Sequence, residues 1–144
     1  MTSYASYARG LTVASDTNPS AGSEATVTIP AGSVRRIVSV QFTLVTSATA
    51  ANRRVVVIVD DGTNELFRVA SPTDQTASIT GRYSFVPGLG GSPSYQAVAA
   101  SNNVCILPGP PGLALLPGYR IRTTTNNLQA GDDYAAPVYA YFAI

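Results

Sequence analysis

The sequence predicts an all-β fold, an antiparallel β-sandwich with a jelly-roll order of about eight strands. Three observations predict it. Several short segments alternate apolar and polar residues with a period of two. Turn-forming Gly, Pro, Asn and Asp separate them at intervals typical of sandwiches and barrels. No segment sustains the 3.6-residue apolar period of a helix. The chain has 144 residues, which suits one domain. A domain of this size buries roughly 70% of its unfolded surface and needs no disulfide staple. The sandwich is expected over residues 24–144, preceded by a loosely tied N-terminal arm, residues 1–23.

Within the arm, Gly10–Ala14 fits a short edge strand, and Asp16–Ser23 is turn-like. Alternation starts at Ala25, with Ala25, Val27 and Ile29 on one face. Pro30-Ala31-Gly32-Ser33 is a turn. Val34–Thr46 is the clearest strand: Val34, Val38, Val40, Phe42 and Leu44 share one parity, interrupted by Arg36. Ile37 falls on the opposite, more polar parity. Later strands are expected at Ala77–Val86, with Gly81 at a bulge, and at Val104–Leu107, Tyr119–Thr125 and Pro137–Ile144. Tyr95–Ala100 fits either a short strand or one helical turn. Pro108–Gly112 reads as a kinked, polyproline-like loop.

The stretch Arg53–Ser71 is a hairpin, in which Asp61-Gly62 separates Val55–Val59 from Leu66–Val69. Apolar matching favours a four-residue loop, Asp61–Asn64, over a two-residue one. Val59 then faces Leu66, Ile58 faces Phe67 and Val56 faces Val69. One face carries Val56, Ile58, Phe67 and Val69, and the other Val55, Val57, Val59 and Leu66 with Arg68. A hairpin apolar on both faces needs cover on both, so Val55, Val57 and Val59 become candidates for an interface.

Composition narrows the chemistry. Net charge is +1 and only 12% of residues are charged, so no nucleic-acid partner is implied. Histidine is absent, which removes the commonest general base and rules out Ser-His-Asp or Cys-His catalysis. An enzyme is not expected, nor is a cofactor. The single cysteine, Cys105, excludes an internal disulfide and reads as a small buried apolar residue. No stretch approaches the ~20 apolar residues of a membrane span, and the N-terminus lacks a signal peptide's pattern, so no membrane partner is implied.

Asp60-Asp61-Gly62-Thr63-Asn64 resembles a calcium loop superficially, but a hairpin turn is the simpler reading. Asp132-Asp133 reads as a solvated turn. All nine basic residues are arginine. Arg120 and Arg122 share a strand face, and they fit either ion pairing within the chain or salt bridges between subunits. The eight tyrosines fit sheet edges and protein interfaces, which makes Tyr4, Tyr7, Tyr139 and Tyr141 interface candidates.

From Ile29 onward the chain runs Ile29-Pro30-Ala31-Gly32 into Arg36–Val40, then Ala51–Val55, the Asp61-Gly62 hairpin, Gln75–Ser78, Leu116–Thr123 and Asn127–Asp133. In these phrases and their order it resembles small virion structural proteins of tailed bacteriophages. Some proteins of this kind are non-enzymatic capsid decoration or cement proteins, often trimers. The resemblance implies a virion protein made in the host cytoplasm, whose partners are its own copies and the major capsid protein. A tail or head–tail junction component, or a carbohydrate-binding jelly-roll module, are the alternatives.

Overall fold

The computed structural model describes residues 10–144. They form an all-β fold of two packed sheets, and the described residues contain no helix. The strands are β1 (Thr12–Ser15), β2 (Thr26–Thr28), β3 (Arg35–Val45), β4 (Arg54–Asp60), β5 (Glu65–Ala70), β6 (Thr80–Pro87), β7 (Ser94–Ala99), β8 (Asn102–Gly109), β9 (Ala114–Leu115), β10 (Arg120–Asn126), β11 (Asp133–Tyr134) and β12 (Val138–Ala143).

The wider sheet runs β1-β12-β3-β6-β8-β7, with β9 and β11 pairing the two ends of β3. The narrower sheet runs β2-β10-β4-β5. Pairing is antiparallel except between β6 and β8, which run parallel, so the wide sheet is mixed rather than purely antiparallel. Thr12–Ser15 pairs along β12, which is the short edge strand expected within the N-terminal segment, placed slightly later than Gly10–Ala14.

The core follows from side-chain alternation. Val40, Phe42 and Leu44 of β3, Tyr83 and Phe85 of β6, and Cys105 and Leu107 of β8 point inward from the wide sheet. They meet Val27, Val55, Val57, Val59 and Ile121 from the narrow one. Early in β3 the partner register jumps from Ser39 to Ile37. The extra residue, Val38, lets Ile37 turn inward and Arg36 outward. That bulge resolves the break in parity at Arg36.

The hairpin of β4 and β5 keeps the four-residue loop, closed by a 3.1 Å bond from Asp61 N to Asn64 O. Gly62 sits there at φ 97°, a conformation that favours glycine. Beyond the loop the expected register is wrong by one residue. Asp60 faces Glu65, but Val59 faces Phe67 and Val57 faces Val69, because Leu66 is bulged out. Phe67 and Val69 therefore join Val55, Val57 and Val59 on the core side, and Leu66 is exposed.

Gly81 lies in regular register opposite Leu44 and Asn103, not at a bulge. A Cβ there would collide with the Gln75 carboxamide and the Tyr83 ring, so close approach is what requires glycine.

Candidate interaction surface

Two groups of residues give this molecule its surface chemistry: the ion pairs that close the narrow sheet, and the outer face of the wide sheet.

A buried polar hub ties the sheets together at one end. Arg53 has the parity of Val55, Val57 and Val59, so its side chain enters the interior. It forms a fork with Asp132, Nε to Oδ2 and Nη2 to Oδ1, both at 2.9 Å, and both side chains are fully buried. Asp132 also accepts from Ser47 N and Oγ and from Gln129 N. Burial alone would raise the Asp132 pKa, but Arg53 and these donors outweigh it and hold the carboxyl down at about 2.

Nearby, Gln75 exchanges backbone bonds with Arg53, donates to Leu44 O and Ile79 O, and accepts from Tyr83 Oη at 2.7 Å. Glu24 accepts from Thr123 and Thr125, and Thr125 Oγ1 shares a 2.7 Å bond with Tyr134 Oη. Among the described residues, no buried side-chain nitrogen or oxygen lacks a partner. Such a hub holds the fold in one arrangement. The expectation that Asp132 lies in a solvated turn is therefore corrected, and it is Asp133 that is exposed.

On the outer face of the narrow sheet, register sets Arg120 beside Asp60 and Glu65, and Arg122 beside Ile58 and Arg68. Asp60 accepts from Arg120 Nε at 2.8 Å, Arg122 Nε at 2.6 Å and Gly62 N at 2.9 Å. Burial opposes its ionisation, yet these donors leave its pKa lowered. Glu65 and Arg68 form a two-bond pair. Asp61 caps the turn, accepting from Thr63 N and Asn64 N. The Asp60–Asn64 oxygens thus serve the turn and the arginines, which is the hairpin reading rather than the calcium one.

Ile58 points outward yet is only 1% exposed. Register puts the long stems of Arg122 and Arg68 on either side of it, the arrangement by which arginine shields apolar surface.

The structure therefore corrects several interface candidates. Val55, Val57 and Val59 are fully buried against the wide sheet, so the cover on that face is the chain's own second layer. Arg120 and Arg122 are engaged by Asp60 within the chain. Tyr139 and Tyr141 face the core instead of a partner. Their rings stack at 5.5 Å, Arg35 lies over Tyr141 at 4.2 Å from its centroid, and Arg35 Nη1 donates to Tyr139 Oη. Arg35 supplies the polar partner that makes burial of these rings possible. Tyr83 and Tyr134 are buried as well, which leaves Tyr95 exposed and Tyr119 half-buried among the described tyrosines. Tyr4 and Tyr7 lie outside the described residues.

What remains outward on the wide sheet is broad and almost without charge. Three cross-strand rows run across it: Val13, Ala140 and Ser39; Val138, Gln41, Ser84 and Ile106; and Thr43, Arg82, Val104 and Gln96. Arg82 is the one charge in these rows, while Arg36 and Asp133 sit towards opposite ends of the sheet. Val13 and Val138 are 66% and 41% exposed. Depletion of charge marks the core of a protein interface.

No protein-family model, curated protein or solved structure matches the chain.

Tyr139 and Tyr141 share one face of β12, and that face is the core side rather than a partner's. Alternation alone does not say which face is wet. The parity shared by Arg53 and Val55 was the available signal for the buried pair.

Proposed function

We propose that the chain is a non-enzymatic structural protein of a virion, built on a jelly roll. In this reading it is a capsid decoration or cement protein that packs as an oligomer, a trimer by resemblance, against the major capsid protein. The observation that carries the reading is the broad outer face of the wide sheet with a single arginine in its three central rows. A protein that coats a shell needs large uncharged contact area more than a cleft, and symmetric rings bury such patches against matching ones.

The strand order supports the jelly-roll part. With β7, β8, β9 and β11 set aside, the sheets read β1-β12-β3-β6 and β2-β10-β4-β5. The paired strands are then first with last, second with seventh, third with sixth and fourth with fifth, which is how a hairpin rolls into two packed sheets. Viral capsid domains are among the users of that architecture. The β7–β8 hairpin adds to the edge after β6 without disturbing this nesting.

Electron microscopy of the particles that carry the chain tests the reading. Density for the sandwich on the outer shell, with the wide sheet turned to a neighbour, is the expected result. Density in the tail or at the head–tail junction would replace the cement reading with the tail one, and absence from the particle would end both.

A further inference from the structure

We propose that Asp61-Gly62 is the site at which this chain is prone to isoaspartate formation, and that Asp60 holds the reaction back by engaging the attacking nitrogen. The inference goes beyond the virion reading and does not depend on it.

Asp61-Gly62 is the one Asp-Gly or Asn-Gly step in the sequence. In such a step the backbone nitrogen of glycine attacks the side-chain Cγ of the aspartic acid before it. A C–N bond forms, the carboxyl OH and the amide hydrogen leave as water, and a five-membered succinimide results. Water then opens the ring at either carbonyl. One product is aspartate again; the other is isoaspartate, with the chain rerouted through the side chain. No other reactant is consumed. Glycine favours the step because no Cβ shields its nitrogen and its backbone reaches conformations closed to other residues.

The hairpin tip gives no steric protection, since Gly62, Thr63 and Asn64 are all exposed. Protection comes from hydrogen bonds at both reacting groups. The Gly62 N–H donates to Asp60 Oδ1 at 2.9 Å. Asp61 Oδ1 accepts from Thr63 N at 2.9 Å and Asn64 N at 2.6 Å, and Oδ2 accepts from Asn64 Nδ2 at 3.2 Å. These donors lower the Asp61 pKa and favour the carboxylate, whereas loss of water needs the neutral acid. Asp60 is itself fixed by Arg120 Nε and Arg122 Nε. Nitrogen and carboxyl are thus each engaged elsewhere, and attack waits for the turn to open.

The arginine cluster therefore does more than close the narrow face. It keeps Asp60 aimed at Gly62. Isoaspartate at position 61 would add a methylene to the backbone of the four-residue loop and disturb its closing bond from Asp61 N to Asn64 O.

Ageing of the full chain in mildly acidic buffer, followed by trypsin, tests this. Cleavage after Arg54 and Arg68 releases Val55–Arg68. Its isoaspartyl form separates from the unmodified peptide by chromatography and accepts a methyl group from an isoaspartyl methyltransferase. The folded wild type should react at residue 61 roughly tenfold or more slowly than the free peptide Val55–Arg68, in which the turn is not held. Asp60→Ala should raise the rate several-fold towards that of the peptide, with a melting curve showing it folded at the ageing temperature. Asp74→Ala removes the exposed pair with Arg54 on the same strand and should leave the rate unchanged. Asn64→Ala frees Asp61 Oδ2 while Asp60 stays in place, and a smaller rise is expected; it decides the outcome if Asp60→Ala does not stay folded. The proposal is overturned if the folded chain reacts as fast as the peptide, or if Asp74→Ala speeds the reaction as much as Asp60→Ala. It is overturned equally if folded Asp60→Ala, or Asn64→Ala in its place, reacts no faster than the wild type.

Discussion

The two outer faces of this sandwich are finished in opposite ways. The narrow sheet is closed by its own chain: Arg120 and Arg122 share Asp60, Arg68 holds Glu65, and the arginine stems lie beside Ile58. The wide sheet has no such layer, only Ser, Thr, Gln, Ala, Val and Ile around Arg82 in its cross-strand rows. The difference teaches where apolar surface can be left outward. An apolar strand can be covered by a partner or by long side chains of its neighbours, and β4 uses the second means. The hairpin first singled out as needing a partner is the part of the surface that needs one least.

The largest expected effect concerns the interior on which both faces rest. Arg53→Ala leaves the Asp132 carboxylate buried without its partner and should cost about 3–5 kcal/mol. A chemical-denaturation midpoint measures it. A loss nearer that of a surface pair would mean that the hub does not hold the two sheets in register.

Acid provides a second probe of the same pair. Asp132 is held at about 2 against an ordinary 3.8. Its folded-state pKa is depressed, so its contribution is fully present above pH 3.8 and is lost as pH falls through 2. The shift corresponds to about 2 kcal/mol. The lowered Asp60 acts in the same direction. Thermal melts between pH 5 and 2 should show falling stability in that window, and Asp132→Asn should flatten the Asp132 part of it.

Asp60→Ala isolates the closure of the narrow face. It frees two guanidinium groups that can turn to water and leaves Gly62 N without its acceptor, so about 1–2 kcal/mol is expected. Association should be unchanged. Loss of association in this variant would break the contrast between the faces, since it would give the arginine layer a role in contacts between subunits.

The smallest stability effect is expected on the wide sheet. Arg82→Ala should move the melting midpoint by no more than about 0.5 kcal/mol equivalent, because the side chain is exposed and takes part in no ion pair among the described residues.

The fold class was legible because alternation in β3, β6, β8 and β12 is a direct imprint of a sheet with one buried face. The register of the hairpin was not. Its loop chemistry was readable at Asp61-Gly62, but the bulge at Leu66 depends on packing Phe67 and Val69 against the second sheet, which no local rule contains. The bulge at Val38 was visible only as a break in parity.

The candidate surface was readable in outline through the low charge. Its side was not, because Tyr139 and Tyr141 fit an interface by composition and the core by virtue of Arg35, which is distant in sequence. Asp132 was hidden for the same reason, since its partner lies 79 residues away.

Sedimentation velocity of two paired variants tests most directly the claim that the wide face, and not the narrow one, carries association. Val138→Lys with Gln41→Lys places two charges side by side on the wide face at exposed positions, and Arg68→Ala thins the arginine layer of the narrow face. The account predicts that the first variant stays folded but falls in mass below the wild type, while the second keeps the wild-type mass. Unchanged mass in the first, or dissociation in the second, would contradict it.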